Sequence, residues 1–525
     1  MLHDGRGCFI FPGRPALPRF HPHRLEEFTM TTCLELTFVG HQTWHITDGD
    51  TVVLLDPILA PAFGASDLDF TIWPPRTVNT TAMPQPDAVI LSHEHLDHFH
   101  LPSLNLLQRT VPVYTGTTTP QAVADAITAL GFAVRRLDHT APLTVGDIEI
   151  TLFPAGARTL FWEQRVIQPV IRQTGTTGND IFIGVDADVS DLYLEQVARD
   201  MLAPPRLAVV SNNAQTVPYG CLGADTNLLP GLDGPRHRRT GLEILNSLLI
   251  DYLRPLDGVR DVALCGNGFT APRSPHGPFL YADHQALAEA ANALQHLFRV
   301  HGPRPGDRLT VPRDGSEIAV SRAGWVTIDT EAEQRLLAEQ SAFLDAPQQV
   351  DPSPIMPPLP EGEHTAARRA VAGELPRLAR DLMATRMGAL ASGIHDYLSG
   401  PLGPNRAVLR LLDPPGNPGT VEMYVWNITG PAMVQVEATS REDAMAVYPF
   451  GIEIYYQDLL AVFTGRAQIW DVVGGSYQGW HIGEPLDSPV YALFAVYGEH
   501  QRPDLAARCY ARSLAALGTS TAAGA

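Results

Sequence analysis

The sequence predicts an α/β chain in which two β-sheets pack face to face with helices outside, followed by a separate α+β module. Three observations carry that expectation. Between residues 34 and 300, short apolar or alternating runs of strand type take turns with longer amphipathic segments of helix type. A proline-dense stretch, Asp351-Pro352-Ser353-Pro354-Ile355-Met356-Pro357-Pro358-Leu359-Pro360, then interrupts the pattern, because proline removes both helix and ladder hydrogen bonds. Finally, 525 residues exceed what one hydrophobic core usually serves.

The elements follow in chain order. Leu34–Val39, Trp44–Ile46 and Thr51–Leu55 are expected to form an antiparallel meander with tight turns such as Asp48-Gly49-Asp50. Ala88-Val89-Ile90-Leu91 is a buried-type strand, followed by a short helix over Leu101–Leu107 and a strand over Val111–Tyr114. Pro120–Leu130 is a predicted helix, capped by Thr119 and ended by Gly131. Strands are expected at Ala133–Leu137, Ile148–Phe153 and Ile181–Val185, then a helix over Leu192–Met201 begun at Ser190 or Asp191. Leu207–Val210 and Val262–Cys265 read as buried strands, and Gly241–Tyr252 and Gln285–Phe298 as helices. Beyond the prolines, helices are expected over Ala366–Leu398, strands at Ala407–Leu412, Thr420–Ile428 and Ala432–Ala438, and a helix over Tyr456–Phe463 closed by Gly465. The resulting division is an N-terminal extension (1–29, with Met30 as an alternative start), a catalytic domain (30–345), a Pro-rich linker (346–364) and a C-terminal module (365–525).

Composition narrows the function classes. A formal net charge of −20 repels phosphate backbones and anionic lipid, so neither a general nucleic-acid binder nor a membrane-surface protein is expected. The basic run Arg236-His237-Arg238-Arg239 is a local exception and reads as a solvated loop able to meet phosphates. Every basic residue other than histidine is arginine; the chain contains no lysine. Cys8, Cys33, Cys221, Cys265 and Cys509 are odd in number and lack C-x-x-C spacing, which suits a reducing cytoplasm better than a disulfide framework. Residues 1–29 lack the features of a secretory signal, and no run approaches the roughly 20 apolar residues of a membrane span.

The most informative residues are Ser92-His93-Glu94-His95-Leu96-Asp97-His98, directly after the Ala88–Leu91 strand. Two histidines at i and i+2 can reach one ion, while Asp97 and His98 reach a second. A chance pair would be unremarkable among 19 histidines, but an ordered quartet behind a buried strand has no fold-stabilising purpose. Together with the Gly40-His41 turn, Asp56-Pro57 and a later strand ending in aspartate, the quartet resembles the metallo-β-lactamase fold over roughly residues 34–300. That resemblance implies an αββα sandwich carrying a binuclear metal site.

The resemblance also implies a third histidine after the Ile148-type strand, yet Ala155–Arg165 contains none; Glu163 is its negatively charged donor and the expected replacement ligand, a Glu163–Arg165 surface pair being the bland reading. The carboxylate expected to bridge both metals is Asp186, with Asp188 as the alternative that would otherwise cap the next helix. The last histidine is missing at the end of the Val262–Cys265 strand, where the chain reads Gly266-Asn267-Gly268-Phe269, so His276 is expected to return over the site from its Pro/Gly-framed loop, with His284 as the alternative. His41, His45, His100 and His139 are expected to support ligands or turns, His41 foremost.

The histidine-to-glutamate change sets the expected reaction. Histidine-rich sites suit zinc and water activation, whereas Glu163, Asp97 and Asp186 together supply hard anionic oxygen, which favours iron and dioxygen. In that substitution the chain resembles the nonheme diiron monooxygenases of this fold, such as the hydroxylase of platensimycin and platencin biosynthesis. The resemblance implies two iron ions, O2 and an external electron donor or reductase, acting on a bulky apolar terpenoid carried, for example, as a coenzyme A ester. No nucleotide-binding glycine motif or iron–sulfur cysteine cluster supplies electrons internally. The alternative is a binuclear zinc or manganese hydrolase, a lactonase or thioesterase. In the C-terminal module, Ile452–Gly465 resembles sterol-carrier-type lipid modules, which implies a wall of a pocket for an apolar substrate, the plainer reading being that its aromatics fill a core or a homodimer interface.

Overall fold

The computed structural model describes residues 33–64, 69–160, 163–211, 224–229, 256, 258–266, 268–270, 281, 283–345, 353–360, 362–394, 405–414 and 421–523. The predicted helix at Gly241–Tyr252, the basic run at 236–239 and His276 lie outside the described residues.

Among the described residues, two large sheets form the N-terminal sandwich. The first has eight strands in spatial order 319–322, 307–312, 33–40, 43–48, 51–55, 88–91, 113–116, 134–137. The second has seven, in the order 142–145, 148–154, 167–173, 181–183, 207–211, 261–265, 299–301. The expected meander of the first three strands is antiparallel, and 51–55, 88–91, 113–116 and 134–137 continue it in parallel.

Period-two alternation explains why these strands read as unbroken apolar runs. Val53, Leu55, Ala88 and Ile90 face the second sheet, where they meet Ile150, Leu152, Ile183 and Val209. Their neighbours Leu54, Val89 and Leu91 face outward onto the helices at 101–104 and 121–129, while Ala208, Val210, Val262 and Leu264 face the helix at 284–294. Strands covered on both faces need apolar residues at every position. Each fully buried Leu, Ile or Val contributes about 1.5–3 kcal/mol relative to exposure, so the sandwich interior holds its loop-bearing edge in place. This is the αββα arrangement expected from the sequence.

The C-terminal module is built on a six-stranded sheet in the order 224–227, 478–481, 450–455, 405–412, 422–427, 432–436. Two elements cross the expected domain division. The edge strand Ala224–Asn227 comes from the N-terminal part of the chain and pairs in parallel with Gln478–His481. The C-terminal helix Pro503–Ala523 also returns to the N-terminal half, where Ala506 and Tyr510 join the core around Val123 and Ile127. The Pro-rich segment is pinned as well: the amides of Ile355 and Met356 donate to the buried Asp458 carboxylate at 3.1 and 3.0 Å. Tyr456, Leu459, Val462 and Phe463 fill the module's core, so the plainer reading of that passage holds.

Smaller differences have local causes. Thr119 does not cap its helix; Pro120 occupies the N-cap position, and the Thr119 hydroxyl has no hydrogen-bond partner among the described residues. Ser190, not Asp188, caps the helix Asp191–Ala198 by accepting from the Tyr193 amide. The helices expected over 366–398 are, among the described residues, His364–Asp381 and Arg386–Gly393, separated by a 3-10 turn and restarted by a Thr385 cap. No helix among the described residues is long and apolar enough to cross a membrane.

Candidate metal centre

Loops from several strand ends meet on one edge of the sandwich. His93–His98 follow Ala88–Leu91, Glu163 stands in the turn between Ile148–Pro154 and Ile167–Gln173, and Asp186 follows Ile181–Ile183. His41 and Gln42 enter the same edge from the turn between the first two strands.

The backbone there is unusually constrained. His41, Asp56 and Val185 all have positive φ (55°, 43° and 52°), a conformation that non-glycine residues sustain only where surrounding structure enforces it. At Gly40 (φ 128°) a Cβ would come within 2.6 Å of Arg76 Nε. That buried guanidinium donates to the carbonyls of Val39, Ala60 and Ile58 and so ties the His41 turn to the segment after Asp56.

Two overlapping groups of donors result. In the first, His93, His95 and Glu163 converge, all three buried: Glu163 Oε1 lies 3.5 Å from His95 Nδ1 and Oε2 lies 3.9 Å from His93 Nε2. In the second, His93, His98 and Asp186 converge, with His98 Nε2 3.0 Å from Asp186 Oδ2.

Neighbouring groups set the orientation of each ring. Ser92 donates its hydroxyl to Asp56 Oδ2 at 2.6 Å, so its oxygen accepts from His93 Nδ1 at 3.0 Å and leaves His93 Nε2 facing Glu163. His98 Nδ1 donates to Asp56 Oδ2 at 2.8 Å, which turns its Nε2 towards Asp186. Gln42 donates to Asp186 Oδ1 at 3.0 Å and to Ser211 Oγ at 2.6 Å, while the Cys265 thiol donates to Gln42 Oε1. These are the supports that metal-ligating imidazoles and carboxylates require.

The electrostatics describe a cluster short of positive charge. Burial pushes the Glu163 carboxyl well above the usual range, with Asp186 and Glu94 adding to it. Burial likewise pulls His93 and His95 well below the ordinary imidazole value, and neighbouring His98 and Arg165 reinforce this. Burial would lower His98 too, but Asp97, Asp186 and Asp56 overcome it and hold that imidazole well above its ordinary value. Asp97 is lowered despite burial, by His98 and by His41, whose Nε2 lies 2.9 Å from its Oδ2.

The donors fit metal ions. His93 Nε2 and Glu163 Oε2 are buried and have no hydrogen-bond partner among the described residues, although polar atoms in such settings are nearly always satisfied. Both belong to the first donor group, and a cation placed there would satisfy both.

Of the expected ligands, His93, His95, His98, Glu163 and Asp186 are brought together, and Asp97 Oδ2 lies 3.6 Å from His98 Nε2. The surface pairing of Glu163 with Arg165 is not what forms; buried Arg165 pairs with Glu94 instead. Asp188 is turned away, its carboxylate 3.7 Å from Arg158. His284 is held in the core with Nδ1 3.3 Å from the Pro303 carbonyl and belongs to neither donor group. His45 and His100 likewise serve local structure, at the Pro84 carbonyl and the Ser103 hydroxyl. Gln42 and Glu94 were not anticipated; Gln42 sits beside the flagged His41, and Glu94 lies inside the quartet itself.

Residues 35–195, which hold the quartet, Glu163 and Asp186, match the model of the beta-lactamase superfamily domain. Fold and donor set together define a metal-binding centre on a metallo-β-lactamase scaffold. The chain is 38% identical over 65 residues to a metal-dependent hydrolase of Haloarcula marismortui, a stretch covering 12% of this chain and 22% of that protein. It therefore spans about a fifth of the length of that curated relative. Among solved structures, an isothiocyanate hydrolase from Delia radicum gut bacteria is 18% identical with a TM-score of 0.37, covering 53% of this chain and 99% of that one. The diiron β-hydroxylase CmlA of Streptomyces venezuelae is 16% identical with a TM-score of 0.33, covering 54% of each chain.

Proposed function

We propose that the protein is a metal-dependent enzyme of the metallo-β-lactamase fold, and specifically an O2-dependent di-iron monooxygenase that hydroxylates an unactivated C–H bond of a bulky apolar substrate. The observation that carries this reading is the donor set: Glu163 stands with His93 and His95, at 3.5 Å from the latter's Nδ1, where a third imidazole would make a zinc-type site. With Asp97 and Asp186 nearby, three carboxylates serve the centre, and hard oxygen donors favour iron over zinc.

His93, His95 and Glu163 would hold one ion, and His98 and Asp97 the other, with Asp186 within reach of both. His276 is retained as a proposed ligand of the second ion. Two bound iron ions would supply the centre at which dioxygen, two electrons and two protons convert R–H to R–OH and water. The electrons would come from an external reductase. Asp56 and Ser92 keep the His98 and His93 rings in the ligating orientation, and Gln42 keeps Asp186 turned inward. Phe63, Phe70 and Phe269 pack against one another beside His41 and offer an apolar flank to a terpenoid-like substrate, for example one carried as a coenzyme A ester.

A second reading, a binuclear zinc or manganese hydrolase acting on an ester or thioester, is favoured by the identity shared with the metal-dependent hydrolase of Haloarcula marismortui. Anaerobic against aerobic turnover of iron-loaded protein separates the two. Product formation that requires O2 and reductant supports hydroxylation, and ester cleavage without either supports the hydrolase.

A further inference from the structure

The strand ends opposite the metal centre carry a concentration of arginine. Leu207–Ser211 and Asp261–Cys265 run parallel, and both finish at the metal edge, where Ser211 and Cys265 bond Gln42. Arg206 and Arg260 stand immediately before those two strands, and Arg299 opens the parallel strand beside them, so the three lie at the starting edge, roughly 15 Å away. Two adjoining cavities open there. One, of about 660 Å³, is lined by Arg206, Arg260 and Arg299 together with Leu297 and Phe298. The other, of about 400 Å³, shares Arg206, Arg260 and Gly315 with the first and adds Arg313. Both volumes fall in the range of small-molecule sites.

The acids present leave this groove short of negative charge. Arg206 is 7% exposed, and a cation so buried is unfavourable unless it is paired and hydrogen-bonded. Its Nη1 pairs with Asp261, whose other oxygen is taken by His301 Nε2 at 2.7 Å, while the Arg206 Nε is buried with no hydrogen-bond partner among the described residues. Burial pulls the Arg206 guanidinium below its ordinary value, and the neighbouring charges of Arg260 and Arg299 pull it further. Glu317 pairs with Arg299 at 2.9 Å, and Asp314 is engaged by the Ser316 amide at 2.9 Å. No carboxylate among the described residues pairs with Arg260.

We propose that this groove binds a phosphate-bearing small anion, with its phosphates among Arg206, Arg260, Arg299 and Arg313 and an apolar remainder against Leu297 and Phe298. Arginine forks donate in parallel pairs to phosphate oxygens, and a phosphate group supplies the negative charge that Asp261, Asp314 and Glu317 leave wanting. Leu297, 85% exposed, stands open beside the arginines as the wall for the organic part. The site is separate from the metal centre and shares no residue with it.

Calorimetric titration of the full-length protein with ADP and with inorganic pyrophosphate at low salt tests the proposal. Metal is removed first, so that diphosphate has no ion to coordinate. Both anions should bind the wild type at one site per chain, ADP the more tightly because its nucleoside meets the apolar wall. Arg260→Gln should weaken both by about 10-fold, the usual effect of losing one charge-assisted hydrogen bond. Arg260→Gln/Arg299→Gln should weaken them by about 100-fold. Both positions are exposed, so these variants should keep the wild-type Tm in the absence of ligand. Arg369→Gln, at an exposed position of the C-terminal module, should bind as wild type does. Absence of binding to the wild type at millimolar anion, or equal binding by the wild type and the double variant, would overturn the proposal.

Discussion

Glu163 Oε1 stands 3.5 Å from Nδ1 of His95, joining the turn before the Ile167–Gln173 strand to the loop after Ala88–Leu91. That pairing makes the first donor group two nitrogens and a carboxylate rather than three nitrogens. Replacing Glu163 with histidine should therefore shift metal preference from iron to zinc, lowering iron uptake by at least about 10-fold in competition. Metal analysis of the variant grown with both metals checks this, and unaltered iron loading would remove Glu163 from the ligand set.

His41 lies 2.9 Å from Asp97 and helps hold that carboxylate in its charged form. His41→Ala should weaken the second metal step by about 10-fold or more, as is usual for a lost supporting hydrogen bond. The first step should be spared. Stepwise titration with a competing chelator reads the two separately.

Metal uptake should release protons. Glu163 is held well above the ordinary carboxyl range by burial, and His98 is held above the ordinary imidazole range by its three carboxylates. Both must be deprotonated to ligate, so apparent affinity keeps rising as pH rises above the ordinary carboxyl and imidazole values. Affinity independent of pH in that range would contradict the electrostatics.

A pH effect of the opposite sign belongs to the C-terminal module. Burial raises Asp471 to about 7, against the Gln468 amide bond, and raises Glu499 to about 7 and Asp458 to about 6. A carboxyl whose folded pKa is raised favours the native state while protonated, so its contribution is full below the unfolded value near 4 and lost as pH rises through the folded one. Asp471→Asn should flatten the decline in stability from about pH 5 to pH 8 relative to wild type. Urea midpoints of the metal-free protein at the two pH values measure it.

The edge that carries the site is sterically tight. Gly40→Ala would drive a Cβ to 2.6 Å from Arg76 Nε at a φ of 128°. A loss of about 2–4 kcal/mol in stability is expected, from backbone strain and overpacking combined. Chemical denaturation of the purified variant checks the figure.

Much of the site is legible in sequence because its chemistry is local. His93, His95, Asp97 and His98 sit within six residues, and the strands before them and before Asp186 are continuously apolar because both faces are covered. What escaped depends on pairing across long distances. The Ile167–Gln173 strand is interrupted by Gln168, Pro169 and Arg172, and Gln168 is buried only because it donates to the carbonyls of Gly184, Ala187 and Asp188. Ala224-Asp225-Thr226-Asn227 has no strand signature of its own; it is extended because Gln478–His481 lies alongside. Nothing near Trp470 in the chain signals that it meets His95, since that contact exists only once the two halves are folded together.

The metal content of protein expressed with iron and zinc both in supply, purified aerobically and read by elemental analysis with Mössbauer spectroscopy, tests the central claim most directly. The carboxylate-completed centre predicts two coupled irons per chain that become ferrous with reductant and reoxidise with O2. Two zinc ions per chain with no iron, and no response to O2, would contradict it and leave water activation as the chemistry of the site.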